Sequence, residues 1–313
     1  MKIITLTLNP AFDVHCNADG FAPYKENIVE IISRDAGGKG VNISRALSAF
    51  STENRALVVM GEENGDEFYR MLLSDGLSVT SVYTKGRIRE NITLHERENP
   101  ETRISFGGFA VNGDIIRKIK TSVGSVDENT VITFTGSLPK GIETADVLAL
   151  LGEYKSQGAK IVIDSRSVTL SEIKDFKPWL IKPNKDEIEK YIGKQVEKNL
   201  DAAKIASEIQ HFGVENVMIS LGGDGAVLAT NEGCFIAEIP KIKVLSTIGA
   251  GDSTIAGFID GTKRGYGAKD LLRRATAFGT AACMTEGTRP PQKSDVEKIE
   301  KLIKVTELLA HPS

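Results

Sequence analysis

Two glycine-rich segments of this 313-residue chain have residue types and spacing that suit phosphoryl transfer. The first reads Ser-Thr-Ile-Gly-Ala-Gly-Asp-Ser over residues 246–253, directly before a helix-like pattern. The small residues Gly249, Ala250 and Gly251 let backbone N–H groups approach an anion, and a helix N-terminus adds partial positive charge. Asp252 would then accept a proton from a hydroxyl in line with the phosphoryl group. A helix cap explains the same residues by stability alone and is the favoured interpretation of this segment by itself.

The second segment reads Gly-Gly-Lys-Gly-Val-Asn over residues 37–42 and also precedes a helix-like pattern. It is not a Walker A loop, because Lys39 is followed by Gly40 and not by Ser or Thr, and it does not fit the GxGxxG dinucleotide pattern. A tight turn explains the glycines but not the lysine between them. Lys39 and Asn42 would make full use of this loop if both side chains pointed at a bound sugar phosphate.

Three charged residues elsewhere suit the binding of a sugar phosphate. Asp13 follows the first predicted strand, at the edge where open α/β sheets bind ligands, and its carboxylate could accept two sugar hydroxyls. Local turn chemistry explains Asp13 equally well. Arg89 and Arg103 carry planar guanidinium groups that could clamp a phosphate, although arginines in exposed strands are commonly only solvated.

Three later segments also lie where strands are predicted to end. Gly-Ser-Leu-Pro over residues 136–139 places Ser137 at the same sheet edge. Lys182-Pro183-Asn184-x-x-Glu187 sets Asn184 and Glu187 one helical turn apart, so both could reach a nucleotide phosphate or a magnesium-bound water. Residues 220–226 join two strands through glycines, for which a simple hairpin turn is the alternative.

Composition excludes several classes of protein. The net charge of −3 comes from 39 basic and 42 acidic residues mixed along the chain, so no block predicts nucleic-acid binding. The sequence contains neither an apolar run of membrane-spanning length nor a signal peptide at its start. Cys16, Cys234 and Cys283 form no CxxC pair, the four histidines lack metal-ligand spacing, and no GxSxG elbow is present. We expect a cytoplasmic protein that binds neither nucleic acid nor membrane.

The pattern of apolar runs indicates the elements that position these residues. Strand-like runs at residues 3–8, 56–60, 131–135, 160–164, 179–181 and 217–221 alternate with helix-like segments at 41–50, 66–74, 145–156 and 200–211. This alternation predicts an α/β fold with a mainly parallel sheet. Helical patterns return at 252–264, 269–285 and 294–309.

Two stretches interrupt this alternation. Residues 14–34 and about 86–108 read as extra strands, and the second contains a hairpin with a turn at residues 98–100. Inserted strands of this kind commonly cover a ligand edge or form a dimer contact. We predict one domain spanning residues 1–313, with these two stretches forming a small β-strand lid.

Taken in order, these motifs resemble the PfkB branch of the ribokinase-like sugar kinases, in particular the group that holds 1-phosphofructokinase, tagatose-6-phosphate kinase and the minor 6-phosphofructokinase. The match covers nearly the whole chain. It rests on Leu-Thr-Leu-Asn-Pro-Ala-x-Asp at 6–13, the glycine segment at 37–45, Gly-Ser-Leu-Pro at 136–139, Lys-Pro-Asn-x-x-Glu at 182–187 and Gly-Ala-Gly-Asp at 249–252.

The resemblance implies a three-layer α/β/α fold, ATP as phosphoryl donor, Mg²⁺ as cofactor and a homodimer formed through the lid. It implies that Asp252 is the base, with Gly249, Ala250 and Gly251 forming the anion hole. The substrate-binding residues would be Asp13, Gly38, Lys39, Asn42, Arg89, Arg103 and Ser137. The nucleotide-binding residues would be Lys182, Asn184, Glu187, Ser220, Gly222, Gly225, Thr247 and Gly251, with Glu187 acting on the metal indirectly through water or an ATP phosphate.

The resemblance also implies a substrate class. The glycine segment with Lys39 is similar to the 1-phosphofructokinase and tagatose-phosphate kinase members, whereas Arg103 stands where those usually carry an acidic residue and is similar to the 6-phosphofructokinase members. The expected substrate is a ketohexose phosphate, with fructose 1-phosphate first and tagatose 6-phosphate or fructose 6-phosphate as alternatives. A sensor that binds sugar phosphate without catalysis, and a ribose or nucleoside kinase of the same fold, remain as further hypotheses.

Overall fold

The structure is a computed structural model that describes residues 1–96 and 101–308. Its strands are β1 (Lys2–Thr7), β2 (Ala11–Ala18), β3 (Glu30–Gly37), β4 (Arg55–Gly61), β5 (Val79–Thr84), β6 (Arg89–Glu96), β7 (Thr102–Ser105), β8 (Thr130–Thr135), β9 (Lys160–Asp164), β10 (Leu180–Ile181), β11 (Asn216–Ser220), β12 (Ala226–Thr230), β13 (Gly233–Glu238) and β14 (Lys304–Leu308). Its helices are α1 (Lys39–Ala49), α2 (Gly65–Ser74), α3 (Asp114–Val123), α4 (Thr144–Ser156), α5 (Leu170–Phe176), α6 (Lys185–Ile192), α7 (Asn199–His211), α8 (Ala250–Lys263), α9 (Ala268–Ala282) and α10 (Lys293–Leu302).

The central sheet has ten strands in the order β14-β13-β12-β11-β10-β9-β8-β1-β4-β5. The strands from β11 to β5 are parallel to one another, and β12, β13 and β14 extend the sheet with antiparallel pairs. Every residue of β8 is buried, as expected for a parallel strand covered on both faces. The predicted α/β fold with a mainly parallel sheet is confirmed.

Helices cover both faces of this sheet and form two apolar cores. One core contains side chains of α2 to α7, among them Phe68, Ile115 and Leu151. The other contains side chains of α1, α8, α9 and α10, among them Leu47 and Phe258. The molecule therefore has three layers, with the N-termini of α1 and α8 on the same side of the sheet.

A second, four-stranded sheet has the order β3-β2-β6-β7. Strands β2 and β6 are parallel, whereas β2–β3 and β6–β7 are antiparallel. The predicted hairpin thus forms from β6 and β7, while its predicted turn at residues 98–100 lies outside the described residues. The first inserted stretch is longer than predicted, because β2 begins at Ala11 and β3 continues to Gly37.

The last predicted helix and strand β5 are among the elements that differ from the sequence-based expectations. The helix predicted over residues 294–309 is wrong beyond Leu302, where the chain becomes extended at Ile303 and forms β14. The β-branched residues Val305 and Thr306 suit a strand, and the edge of β13 offers an antiparallel partner. Leu309 lies outside the described residues. Strand β5 is missed by the apolar-run criterion because its sequence, VTSVYT, is only partly apolar.

The parallel strands bring distant segments to one edge. The carboxyl ends of β1, β8, β9, β10 and β11 lead into Asn9, Ser137, Asp164, Lys182 and Ser220 respectively. Such an edge is where open α/β sheets bind ligands. Across the described parts of the chain, the helices are all too short or too polar to span a bilayer.

Candidate active site

A cleft of about 1320 Å³ lies along this edge, between the central sheet and the small sheet. Every residue that the sequence nominated for catalysis or binding lines it. These residues are Asp13, Gly38, Lys39, Asn42, Arg89, Arg103, Ser137, Lys182, Asn184, Glu187, Ser220, Gly222, Gly225, Thr247, Gly249, Ala250, Gly251 and Asp252. The fold thus gathers into one concave surface residues from both ends of the chain.

Asp252 is held at the start of α8 by a residue from another helix. Gly249 precedes the helix with a φ of 76°, a left-handed conformation that favours glycine, and no side-chain cap bond forms there. Asp252 is the third residue of α8, and its Oδ2 accepts a hydrogen bond of 2.9 Å from the Asn42 side-chain amide. The carboxylate therefore bonds directly to α1, and the helix-cap interpretation does not describe its contacts.

The environment of Asp252 suits a group that takes up a proton. Asp252 is only 5% exposed, and this burial raises the pKa of its carboxyl from 3.8 to about 6. The charge of Lys39 and the Asn42 hydrogen bond lower the pKa but only partly offset the effect of burial. A carboxyl with this pKa is ionised at neutral pH and is a stronger base than an exposed aspartate. Beside it, the backbone N–H groups of Gly251 and Asp252 have no hydrogen-bond acceptor among the described residues, and the Ala250 amide makes only a long contact of 3.4 Å with the Thr247 carbonyl. The start of α8 can therefore bind an anion.

Two lysines share one buried carboxylate in the middle of the cleft. Lys39 Nζ lies 2.9 Å from Asp164 Oδ2, and Lys182 Nζ lies 3.9 Å from Asp164 Oδ1. Burial alone would raise the pKa of Asp164, but the two ammonium groups hold it below its ordinary value. The ammonium of Lys182 also lies against Gly251, where a Cβ would stand 3.0 Å from Nζ. This arrangement places two cations beside the start of α8.

The small sheet presents a second carboxylate to the cleft. Asp13 on β2 pairs in register with Asn91 on β6, and the Asn91 amide donates to Asp13 Oδ1 over 3.0 Å. Burial raises the pKa of Asp13, and the Asn91 bond partly opposes that effect. A Cβ at Gly37 would stand 1.9 Å from Asp13 Oδ2, so only glycine leaves room for this carboxylate.

The two predicted lid arginines differ in their surroundings. Arg89 reaches Ser137 Oγ and the Asn9 carbonyl at 3.4 Å each, and its buried Nε has no hydrogen-bond partner among the described residues. Arg103 is paired with Glu101 at 3.0 Å, and its side chain is 54% exposed. Arg89 therefore has a hydrogen-bond donor inside the cleft that is free to bind a ligand. Arg103 is already neutralised by Glu101, which directly precedes its strand.

Asn184 and Glu187 form a capping box at the start of α6. The Asn184 side-chain Oδ1 accepts a hydrogen bond from the backbone N–H of Glu187 at 2.9 Å. In return, Glu187 Oε2 accepts one from the backbone N–H of Asn184 at 3.0 Å. Glu187 Oε1 also accepts from Arg166 Nε at 3.0 Å. The motif therefore has a structural role, which Asn-x-x-Glu spacing before a helix could have indicated.

The donor set at this end suits a metal held through water. No cluster of three His, Cys, Asp or Glu side chains that could hold a metal occurs in residues 1–96 and 101–308. Because both Glu187 oxygens already accept hydrogen bonds, its carboxylate is suited to a water-mediated contact more than to direct ligation. Mg²⁺ commonly keeps several waters and binds through substrate phosphates, so these residues fit Mg²⁺ bound in that way.

The remaining residues that the sequence predicts to bind a nucleotide come from neighbouring segments. The Ser220 amide donates to the Pro183 carbonyl at 3.1 Å, which joins the ends of β10 and β11. A 3₁₀ turn at Gly222–Asp224 connects β11 to the antiparallel β12, so the predicted hairpin is present and also lines the cleft. The Thr247 carbonyl accepts from the Ala250 amide at 3.4 Å at the entry to α8.

Comparison with known proteins decides the family. Residues 7–295 match the pfkB family of carbohydrate kinases. The chain belongs to this family. It is therefore a sugar kinase, which transfers a phosphoryl group to a hydroxyl and binds ATP.

Relatives of this kinase are similar over most of its length. It is 31% identical over 286 residues to the 1-phosphofructokinase of Escherichia coli K12, covering 90% of each chain. It is 32% identical to the tagatose-6-phosphate kinase of Staphylococcus epidermidis, covering 98% of this chain and all of that one. A crystal structure of Escherichia coli phosphofructokinase-2 with substrates and products superimposes with a TM-score of 0.89 at 26% identity, over 96% of this chain and 99% of that chain.

Sequence reasoning missed several polar residues that the kinase brings to the cleft, among them Asn9, Asn91 and Asp164. Asn9 donates to Ser137 Oγ and to the Leu138 carbonyl, both at 3.1 Å. Asp164 stands at the end of a predicted strand without a glycine beside it. A polar side chain directly after a buried parallel strand is the signal that could have identified it.

Proposed function

We propose that this kinase transfers the γ-phosphoryl group of ATP to a ketohexose phosphate, with fructose 1-phosphate as the first candidate and fructose 1,6-bisphosphate as its product. The observation that carries the proposal is the placement of Asp252. Its buried carboxylate, fixed by Asn42, stands beside the first amides of α8 in the same cleft as Lys39 and Arg89. A base and an anion site side by side are what phosphoryl transfer to a hydroxyl requires.

In the proposed reaction, the sugar hydroxyl attacks the γ-phosphorus while its proton passes to Asp252. A bond forms between the hydroxyl oxygen and phosphorus, and the bond from phosphorus to the β–γ bridging oxygen breaks, leaving ADP. The amides of Gly249, Ala250 and Gly251 would bind the oxygens of the transferring group. Because that group passes through a loose transition state, these residues act by positioning and charge compensation.

The sugar phosphate would lie between the small sheet and α1. Asp13, fixed by Asn91, would accept hydrogen bonds from sugar hydroxyls. Arg89 has a buried Nε that finds no acceptor within the described parts of the chain, and with Lys39 it would bind the substrate phosphate. Gly38, Asn42 and Ser137 complete this side, and Arg103 lies at its rim. The positive charges of Lys39, Arg89 and Arg103 together favour a phosphorylated sugar over free ribose or a nucleoside.

ATP would occupy the opposite end of the cleft. Lys182 would meet its phosphates beside Gly251, and Asn184, Ser220, Gly222, Gly225 and Thr247 line the region beyond. Mg²⁺, when bound, would neutralise phosphate charge, and Glu187 would hold one of its waters. The capping box supports this role by fixing the Glu187 carboxylate on the rigid start of α6.

The relatives favour fructose 1-phosphate, because several named 1-phosphofructokinase match at 28–31% identity. Tagatose 6-phosphate and fructose 6-phosphate remain alternatives, since one relative is named tagatose-6-phosphate kinase and one structural neighbour contains fructose 6-phosphate. A sensor without catalysis has no need of a buried base, so the Asp252 site favours an enzyme over a sensor.

We also propose that the kinase is a homodimer formed through the small sheet and works in the cytoplasm. The apolar lid patch, defined as the exposed side chains of the small sheet and its loop, supports the dimer. It consists of Phe21, Tyr24, Ile28, Val29, Ile31, Ile32, Ile104 and Phe106. Apolar surface of this kind commonly marks a protein interface.

The cysteines support the proposed cytoplasmic location, because all of them are unpaired and suit a reducing compartment.

A substrate panel tests the proposal. ADP release would be measured with ATP and Mg²⁺ on fructose 1-phosphate, fructose 6-phosphate, tagatose 6-phosphate and free fructose. We expect the highest kcat/KM with fructose 1-phosphate and the lowest with free fructose. Faster turnover of unphosphorylated fructose, or no turnover of any sugar phosphate, would contradict the proposed substrate class.

A further inference from the structure

Arg45 joins three parts of the molecule directly behind Asn42. It lies three residues after Asn42 on α1, and its side chain is only 10% exposed. Its Nη1 donates to Asn42 Oδ1 at 3.3 Å, its Nη2 donates to the Ala36 carbonyl, and its Nε donates to Asp75 Oδ2 at 2.8 Å. Ala36 belongs to β3 of the small sheet, and Asp75 follows α2 on the central body.

This contact fixes which way the Asn42 amide faces. A guanidinium group only donates hydrogen bonds, so the Asn42 atom that meets Arg45 must be the oxygen. The amide nitrogen then faces Asp252, to which it donates at 2.9 Å. A rotation of the amide by half a turn would set its oxygen against the carboxylate and its N–H groups against the guanidinium, and both contacts would be repulsive.

We propose that Arg45 is a positioning residue, which holds the Asn42 amide so that it donates to the Asp252 carboxylate and keeps that base aimed into the cleft. This inference rests on the proposed function for its effect on catalysis. Arg45 itself lies outside the set of residues that line the cleft, so it acts through Asn42. Arg45 also donates to the Ala36 carbonyl at the end of β3, so the same side chain holds both the end of the small sheet and the residue that orients the base.

The groups that face Asp252 decide what a test must separate. Lys39 and Asn42 approach it from α1, Asp164 from the end of β9, and Lys182 from the segment after β10. The positive charges and the Asn42 hydrogen bond favour the ionised carboxyl, and Asp164 disfavours it. Loss of one hydrogen bond to the ionised form should therefore raise the pKa of Asp252 by about one unit.

The direct test is a titration of the Asp252 carboxyl, followed by NMR with ¹³C-labelled aspartate and assigned by the signal that Asp252→Asn removes. Arg45→Met should raise the midpoint by about one pH unit. In an Asn42→Ala background, Arg45→Met should add almost no further shift, because the two residues act in series. An equal shift in both backgrounds would show that the charge of Arg45 acts alone, and an unmoved midpoint would show no role at all; either result overturns the proposal.

Arg55→Met is the matched control, because Arg55 donates to the Val123 carbonyl at 2.9 Å, far from the cleft in the fold. It should leave the Asp252 midpoint and kcat unchanged. In turnover assays Arg45→Met should lower kcat roughly tenfold with little change in the KM for ATP. The titration requires no turnover, so a wild-type protein inactive on every sugar phosphate would refute the proposed function, while the midpoints would still decide the role of Arg45.

Discussion

The ammonium group of Lys39 lies 2.9 Å from the Asp164 carboxylate, although 125 residues separate them in the chain. Lys39 lies on the proposed substrate side of the cleft, and Asp164 also faces Lys182 on the proposed nucleotide side. Burial opposes the charge of Lys39, but Asp164 and then Asp252 raise its pKa overall. One buried carboxylate thus compensates a cation from each half of the site.

Replacing Asp164 by Asn should destabilise the unliganded protein. The variant leaves Lys39 and Lys182 without their shared buried counter-charge, and breaking a buried ion pair costs about 3–5 kcal/mol. Urea unfolding would measure this loss, and added pyrophosphate should stabilise the variant more than the wild type. Asp270→Asn is the control, since Asp270 pairs with Arg273 and its side chain is 56% exposed. Equal unfolding free energies for the two variants would contradict the role given to Asp164.

Arg89 and Arg103 should contribute unequally to substrate binding. Arg89→Ala removes donors that lie inside the cleft and should raise the KM for the sugar phosphate roughly 10–100-fold, as expected for one or two hydrogen bonds to a charged group. Steady-state kinetics would measure it. Arg103→Glu is the comparison, because Arg103 is exposed and already paired with Glu101. A larger effect from Arg103→Glu than from Arg89→Ala would reverse our assignment of the phosphate contact.

The raised pKa of Asp252 predicts how stability depends on pH. Between 3.8 and about 6 the folded protein keeps a proton that the unfolded chain releases. The contribution of Asp252 to stability therefore falls as the pH rises through this window and is level above it. Asp252→Asn removes this dependence. The Tm of the variant should therefore exceed that of the wild type at pH 8, and the difference should be much smaller at pH 4.5. An equal difference at both pH values would show that the Asp252 pKa is not raised.

The apolar lid patch predicts the effect of a charge in the dimer contact. Ile31→Lys places an ammonium among exposed apolar side chains of β3 and should shift the protein from dimer to monomer in light-scattering measurements. Leu302→Lys changes an exposed residue at the end of α10 and should leave the mass unchanged. A dimer that persists in Ile31→Lys would locate the contact elsewhere.

Residue patterns predicted the sheet strands and the helix starts that follow both glycine segments, because apolar runs and glycines act on the local conformation of the chain. Strand β9 occupies residues 160–164 as expected, and the glycines before α1 and α8 mark the starts of those helices. Long-range pairing is not encoded locally: Asp164 gains its meaning only from Lys39, and Asn91 only from its register with Asp13.

The same limit explains the end of the chain. Residues 294–302 form the predicted helix, but the free edge of β13 lies about 70 residues earlier in the sequence and captures Lys304–Leu308 as a strand. Tertiary pairing decides such a short segment more strongly than its local pattern does. The Asp252 contacts are a comparable case, since local sequence favoured a cap and Asn42 on another helix provides the partner.

The most direct test of the central claim is the turnover of fructose 1-phosphate by Asp252→Asn, measured as ADP release, together with the Kd for the sugar phosphate from calorimetry. The exposed Asp114→Asn, at the start of α3, is the matched control. We predict that Asp252→Asn lowers kcat by roughly two to four orders of magnitude while its Kd stays within about threefold of the wild-type value. A kcat close to that of the wild type would contradict the assignment of Asp252 as the base.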